Sequence, residues 1–248
     1  MSMRLPVVLF LLSLALPARA ETQHLVYALQ VGEQSVGHRE VSIRYLSGDH
    51  GEVRLLESYT EFQVALPGQD LEFKQRLSGM GGQGRGDFAC AMSQNGEARE
   101  VQVSKQPGGW IVTLAELGRA RSWELDASAF DATSLSLVDP GALSLEGKSH
   151  LRILAAETGG VLEGSLSESG RRSVVVGDSV VEGVVYDWET ADGSVQLVYE
   201  PGGVLLEYSM PVGVGVLRAR LESMPPPRSY GDTLHTPVVE QVVGEESL

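Results

Sequence analysis

Apolar and polar residues alternate one for one in short runs along this chain, a period that fits a β-strand and no helix. Val41, Ile43 and Tyr45 alternate with Ser42 and Arg44; Val101 and Val103 with Gln102 and Ser104; Leu217, Ala219 and Leu221 with Arg218, Arg220 and Glu222. Successive side chains of a strand point to opposite faces, so each run has one face to bury and one to leave in water, the habit of antiparallel sheets. Turn signals fall between the runs: Gly32-Glu33-Gln34-Ser35, Ser47 to Gly51, Pro67-Gly68, Asn95-Gly96, Pro107-Gly108-Gly109, Asp192-Gly193 and Pro201-Gly202-Gly203. All 29 glycines lie beyond residue 20 and punctuate about a dozen expected strands.

Several runs are long. Val36 to Leu46 would extend about 36 Å, and long antiparallel strands in one sheet twist and curl. The expected fold is therefore all-β: a single large curved sheet, either a half-barrel or an open barrel. Between Glu116 and Leu145 the alternation lapses. A short helix is expected near Asp131 to Val138, stopped by Pro140-Gly141, with Trp123 and Phe130 plugging one end of the sheet.

The two ends of the chain read differently. Arg4, an apolar run from Leu5 to Leu16 and the exit Ala18-Arg19-Ala20 make a signal peptide cut after Ala20, giving a periplasmic or secreted product. That run is too short to span a bilayer, so the protein is not expected to be membrane-spanning. A single domain is expected over 21–224. After it come Pro225-Pro226-Pro227 and a polar, acidic stretch to Leu248, read as a disordered tail over 225–248. Loss of Arg4 and Arg19 leaves 17 basic against 33 acidic residues, which excludes nucleic acid as a natural partner. Cys90 stands alone, so the core holds without an internal disulfide; between Phe88, Ala89 and Met92 it reads as a small core residue.

Few motifs carry chemistry. Gly79-Met80-Gly81-Gly82-Gln83-Gly84 has dinucleotide-loop spacing, but Arg85-Gly86-Asp87-Phe88 follows where a helix must open, so no nucleotide or other cofactor is expected. His24, His38, His50, His150 and His235 are scattered, and the acids Asp187, Glu189 and Asp192 miss a calcium-loop order; no metal site is expected. Gly177-Asp178-Ser179 resembles the nucleophile block of GDSL-type ester hydrolases, and Asp232-Thr233-Leu234-His235 their base block. That resemblance implies a Ser179, His235, Asp232 triad. Against it, the chain's one Asn, Asn95, precedes Ser179, and Val184, Tyr186 and Trp188 keep strand alternation where that family has a helix.

A second resemblance covers nearly the whole domain, from Leu25 to Leu221. Tyr27-Ala28-Leu29-Gln30-Val31-Gly32-Glu33-Gln34-Ser35-Val36-Gly37, then Val41 and Ile43, resembles the first hairpin of a broad group of uncharacterised secreted bacterial β-rich proteins. Gly177 to Tyr186, Asp192-Gly193 and Tyr199-Glu200-Pro201-Gly202-Gly203-Val204-Leu205 resemble its closing strands, with Glu200 where an Asp is usual. The group is similar in architecture to periplasmic lipoprotein carriers. That implies a concave face able to hold acyl chains, and no catalytic residues. On that face the candidate ligand-binding residues are Val184, Tyr186 and Trp188 on one strand, Val195, Leu197 and Tyr199 on the next, and Trp123 and Phe130 from the plug. Two classes of function stay open: an envelope protein binding a lipid or other apolar small molecule, and a structural module docking to another envelope protein. An ester hydrolase stands third.

Overall fold

The computed structural model describes residues 21–226 except 49–50, 67–68, 83–86 and 214. Fifteen strands form one sheet. The first eight are β1 (Glu21–Val31), β2 (Gln34–Gly48), β3 (Gly51–Leu66), β4 (Gln69–Gly82), β5 (Phe88–Gln94), β6 (Glu97–Gln106), β7 (Gly109–Glu116) and β8 (Arg119–Asp126). The rest are β9 (Ala132–Thr133), β10 (His150–Leu154), β11 (Val161–Val176), β12 (Ser179–Thr190), β13 (Gly193–Tyr199), β14 (Leu205–Val212) and β15 (Gly215–Leu221). Their order is β8-β7-β6-β5-β4-β3-β2-β1-β15-β14-β13-β12-β11-β10-β9. Two meanders thus run outward from a central pair, β1 and β15, where the first and last strands of the sheet meet. All pairs are antiparallel except β9 with β10, which makes the sheet mixed.

Alternation sorts the core as read from the sequence. Val41, Ile43, Tyr45, Val101, Val103, Leu217, Ala219 and Leu221 are all buried. They join one apolar cluster with Leu25, Tyr27 and Leu29 of β1 and Leu151, Ile153 and Leu154 of β10. Each of the Val, Leu and Ile side chains among them contributes about 1.5–3 kcal/mol by leaving water. The sheet is curled but not closed, with β8 and β9 at its edges. Contacts cross its hollow: the Trp110 ring of β7 lies 5.2 Å from that of Phe130, and a Cβ on Gly159 would stand 2.5 Å from Val112 of β7.

Three expectations need correction. Among the described residues strands number fifteen and not about a dozen, and two of them, β8 (Arg119–Asp126) and β9 (Ala132–Thr133), lie within Glu116 to Leu145, where the pattern was read as broken. The turn that joins β7 to β8 is Leu117-Gly118, both at positive φ (50° and 72°); Leu117 carries none of the polar chemistry that marks such turns, so nothing announced it. At Asn95-Gly96, by contrast, the expected turn has φ 51° and 83°. Second, Asp131 to Val138 is no helix. It holds β9 and a series of turns (Ser136 N–H to Thr133 O, Val138 N–H and Asp139 N–H to Leu135 O), because Asp131 and Ser134 bond β10 backbone in place of a helical ladder. Third, Trp123 belongs to β8 and not to the plug, which is the turn-rich stretch 127–149.

One feature breaks the rule of a single buried face. A bulge between Glu168 and Gly170 redirects β11, and the tip of the β11–β12 hairpin folds over the outside of the sheet. Val174, Val176, Val185, Val198 and Leu206 are buried there, and a Cβ on Gly183 would stand 2.6 Å from Val198 and 3.1 Å from Leu206. The buried Glu207 of β14 fastens this second core, meeting Arg172 of β11 at 2.7 Å and Arg220 and Arg218 of β15 at 3.1 and 3.6 Å.

Candidate functional site

The register sets Val184 opposite Tyr199, Tyr186 opposite Leu197 and Trp188 opposite Val195, so the six candidate residues of β12 and β13 share one inward face. Their depth differs. Trp188 and Leu197 are sealed in the core, and the Trp188 indole N–H donates to the Leu151 carbonyl at 3.2 Å. Val195 is half-buried. Val184, Tyr186 and Tyr199 instead border a cavity of about 420 Å³. Trp123 and Phe130 lie away from it, around β7 and β8, with Phe130 against Trp110 and Trp123 beside Gly159.

The cavity is built by the plug lying against the β13–β14 turn. The Tyr199 hydroxyl donates to Leu137 O at 2.8 Å, and Gly141 N–H to Gly203 O at 3.4 Å. At that crossing a Cβ on Gly203, whose φ is 88°, would lie 2.7 Å from the Gly141 nitrogen, so the approach requires glycine. Leu143 and Leu145 supply an apolar wall, and Glu146, Glu168, Glu200 and Arg171 its charges. The Tyr199 and Tyr186 rings meet at 6.5 Å, edge to face. Burial raises the Tyr186 phenol above its ordinary range, and the Glu168 and Glu146 carboxylates raise it further. A neutral phenol, apolar walls and an acidic rim suit an uncharged or cationic apolar molecule better than an anionic one. Leu143, Leu145, Glu168 and Arg171 were missed in the sequence. Glu168 and Arg171 flank a bulge, and the two leucines sit in a stretch without a period.

Ser179 is exposed at the start of β12, where Gly177-Asp178 is simply the hairpin turn; Asp232 and His235 lie outside the described residues, as does the tail from residue 227 onward. Gly79 to Gly82 belong to β4 and Phe88 opens β5; residues 83–86 lie outside the described residues. No group of three or more metal-ligating side chains occurs among the described residues. Cys90 is buried, with Gln75 Nε2 at 3.6 Å from its sulfur, and burial pushes its thiol up to about 12. The native protein is therefore expected to resist iodoacetamide at pH 8 and to react once unfolded in guanidinium; rapid labelling of the folded protein would show that Cys90 is open to solvent.

No family model matches the chain, and no curated protein does. Among solved structures it is similar to a β-barrel-like protein of the domain of unknown function DUF1849 from Brucella abortus, with a TM-score of 0.56 and 13% identity. The alignment covers 83% of this chain and 98% of that one. This likeness carries the fold, that of an uncharacterised barrel-like bacterial β domain.

Proposed function

We propose that the chain is an exported envelope protein that binds an apolar small molecule or lipid, with Val184, Tyr186 and Tyr199 forming the floor of the site. The observation that supports this most is the cavity of about 420 Å³ between the plug and the end of the sheet, a volume within the range of small-molecule sites. The signal-peptide pattern of residues 1–20 supports export. Docking by strand addition fits less well. The edge strand β8 carries Arg119, Arg121, Glu124 and Asp126, charges that discourage pairing with another chain. Among the described residues no helix is long and apolar enough to cross a membrane.

Native mass spectrometry with solvent extraction tests the reading, on protein purified without detergent from its own cells. A discrete added mass that extracts into organic solvent is expected, and Val184→Trp, which fills the cavity, is expected to lose it. A clean apo mass, or an adduct indifferent to Val184→Trp, would refute this assignment.

A further inference from the structure

Several acids elsewhere in the sheet and plug have cations of their own. Asp139 and Glu52 meet Arg54, each at 2.9 Å, Asp131 meets Arg152 at 2.9 Å, and Glu207 gathers three arginines. The acids around the cavity between the plug and the β13–β14 turn differ. Glu146, Glu168 and Glu200 border it with one cation, Arg171, and among the described residues none of these four side chains makes an ion pair or a hydrogen bond. Three carboxylates against one guanidinium leave two negative charges in excess. Glu146 and Glu168 are exposed, so this charge stands at the mouth.

An acidic rim alone is ordinary solvated surface; the group beneath it is not. Tyr186 stands directly opposite Glu168 in the β11–β12 ladder, is 9% exposed and borders the cavity. Four tyrosines are buried among the described residues, and three of them spend their hydroxyl hydrogen inside the protein: Tyr27 on Leu205 O at 3.0 Å, Tyr45 on Gln23 Oε1 at 2.9 Å and Tyr199 on Leu137 O at 2.8 Å. Tyr186 is the fourth, and its hydroxyl has no hydrogen-bond partner among the described residues. Buried hydroxyls are nearly always bonded, so this one calls for a partner from the space beside it, a cavity of about 420 Å³. The charges of Glu168 and Glu146 bear on the Tyr186 phenol after the larger effect of its burial, which brings its oxygen and the two carboxylates to one part of that space.

A cationic nitrogen answers all three groups at once. An ammonium carries three donors and no acceptor, while the carboxylates and the phenol oxygen each have lone pairs to offer. The Tyr186 and Tyr199 rings, edge to face at 6.5 Å, add aromatic surface that attracts a cation. Leu143, Leu145 and Val184 line the same cavity, so an apolar wall adjoins the charged mouth. We propose that the cavity takes an amphiphile with a cationic nitrogen, the nitrogen held by Glu146, Glu168 and the Tyr186 hydroxyl and the hydrocarbon laid against Leu143, Leu145 and Val184. This names the ligand class of the site proposed above and rests on that reading.

The test is calorimetric titration of the purified, delipidated protein with octylamine, octanol and octanoate, which share one hydrocarbon and differ in the charge of the head. Octylamine is expected to bind saturably and roughly tenfold more tightly than octanol, with octanoate weaker than either. Added salt is expected to narrow the gap between octylamine and octanol, because the carboxylates lie at the mouth. Glu168→Gln, at an exposed position that folding tolerates, is expected to weaken octylamine several-fold and to leave octanol unchanged. Tyr186→Phe, which keeps the ring, is expected to do the same, and Val184→Trp to abolish binding of both. A short-chain phosphatidylethanolamine separates two sources of the nitrogen: binding tighter than octylamine assigns it to a lipid headgroup, and weaker binding to a free amine. Octanol binding as tightly as octylamine, with both lost in Val184→Trp, would overturn the amine assignment and leave the apolar site standing. Octylamine binding indifferent to Glu168→Gln and Glu146→Gln would do likewise. Failure of all three ligands to bind, or octylamine binding indifferent to Val184→Trp, would overturn the amine assignment together with the site. If Tyr186→Phe does not fold, the two carboxylate variants decide.

Discussion

Replacing Trp188 with alanine is expected to destabilise the protein by about 4 kcal/mol, lowering the melting temperature by roughly 10 °C. Trp188 is 3% exposed and packs inside β12 against the face of β10 and β11. Its removal takes away the largest side chain of this half of the sheet. It also removes the indole N–H that donates to the Leu151 carbonyl at 3.2 Å, a carbonyl that stays in the β10–β11 ladder opposite Gly164. Collapse into the void is opposed by the strands, whose spacing the ladder holds. Gly164 shows how tight the site is: a Cβ there would stand 3.0 Å from Trp188 Nε1 and 2.0 Å from Glu189 O. Trp188→Phe separates the two contributions. It keeps most of the packing and loses the hydrogen bond, at a cost of about 1 kcal/mol. Chemical denaturation of both variants measures this; a loss under about 1 kcal/mol in Trp188→Ala would show that the site is loosely packed.

Asp139→Ala is expected to cost about 3 kcal/mol and to free the plug. Asp139 is buried, its carboxylate 2.9 Å from Arg54 Nη1, while the same nitrogen reaches Pro140 O at 3.3 Å. Arg54 stacks in turn over Tyr45 at 5.7 Å, so one guanidinium ties the turns of the plug to the wall formed by β2 and β3. Burial tends to discharge Arg54; the charges of Asp139 and Glu52 outweigh it and raise its pKa above the ordinary value. Removing Asp139 leaves that cation with Glu52 as its remaining carboxylate and takes away the buried half of the pair, whose loss costs more than the pair contributes. Amide hydrogen exchange gives the local readout. Faster exchange is expected at Val138, Asp139 and Ala142, whose N–H groups close the plug turns, with little change in β13 and β14. Unchanged exchange there would mean that packing of Leu135 and Val138 holds the plug without the ion pair.

The candidate site was legible in part. Tyr186 and Tyr199 stood out because alternation placed them with Val184 on one inward face, and alternation is local. The acids and leucines facing them arrive from the plug and from a bulge, two places where chain spacing stops predicting direction. Arg39 is the opposite case. Counting back by two from Val41 places it inward, so its position was readable. Its partners, Ser58 at 3.0 Å and Tyr208 at 3.5 Å, were not, because they come from other strands, β3 and β14.

By itself, the sequence determined the all-β class, the antiparallel hairpins and the inward set of residues, because a period of two and turn chemistry act over a few residues. Only the tertiary structure decided that β1 closes on β15, that β9 runs parallel to β10, and that the β11–β12 tip covers the outside of the sheet. It also decided that 127–149 lies across the hollow as turns and not as a helix. These outcomes depend on pairing between residues far apart in the chain, where backbone groups and apolar faces are satisfied by whatever the curl of the sheet brings within reach.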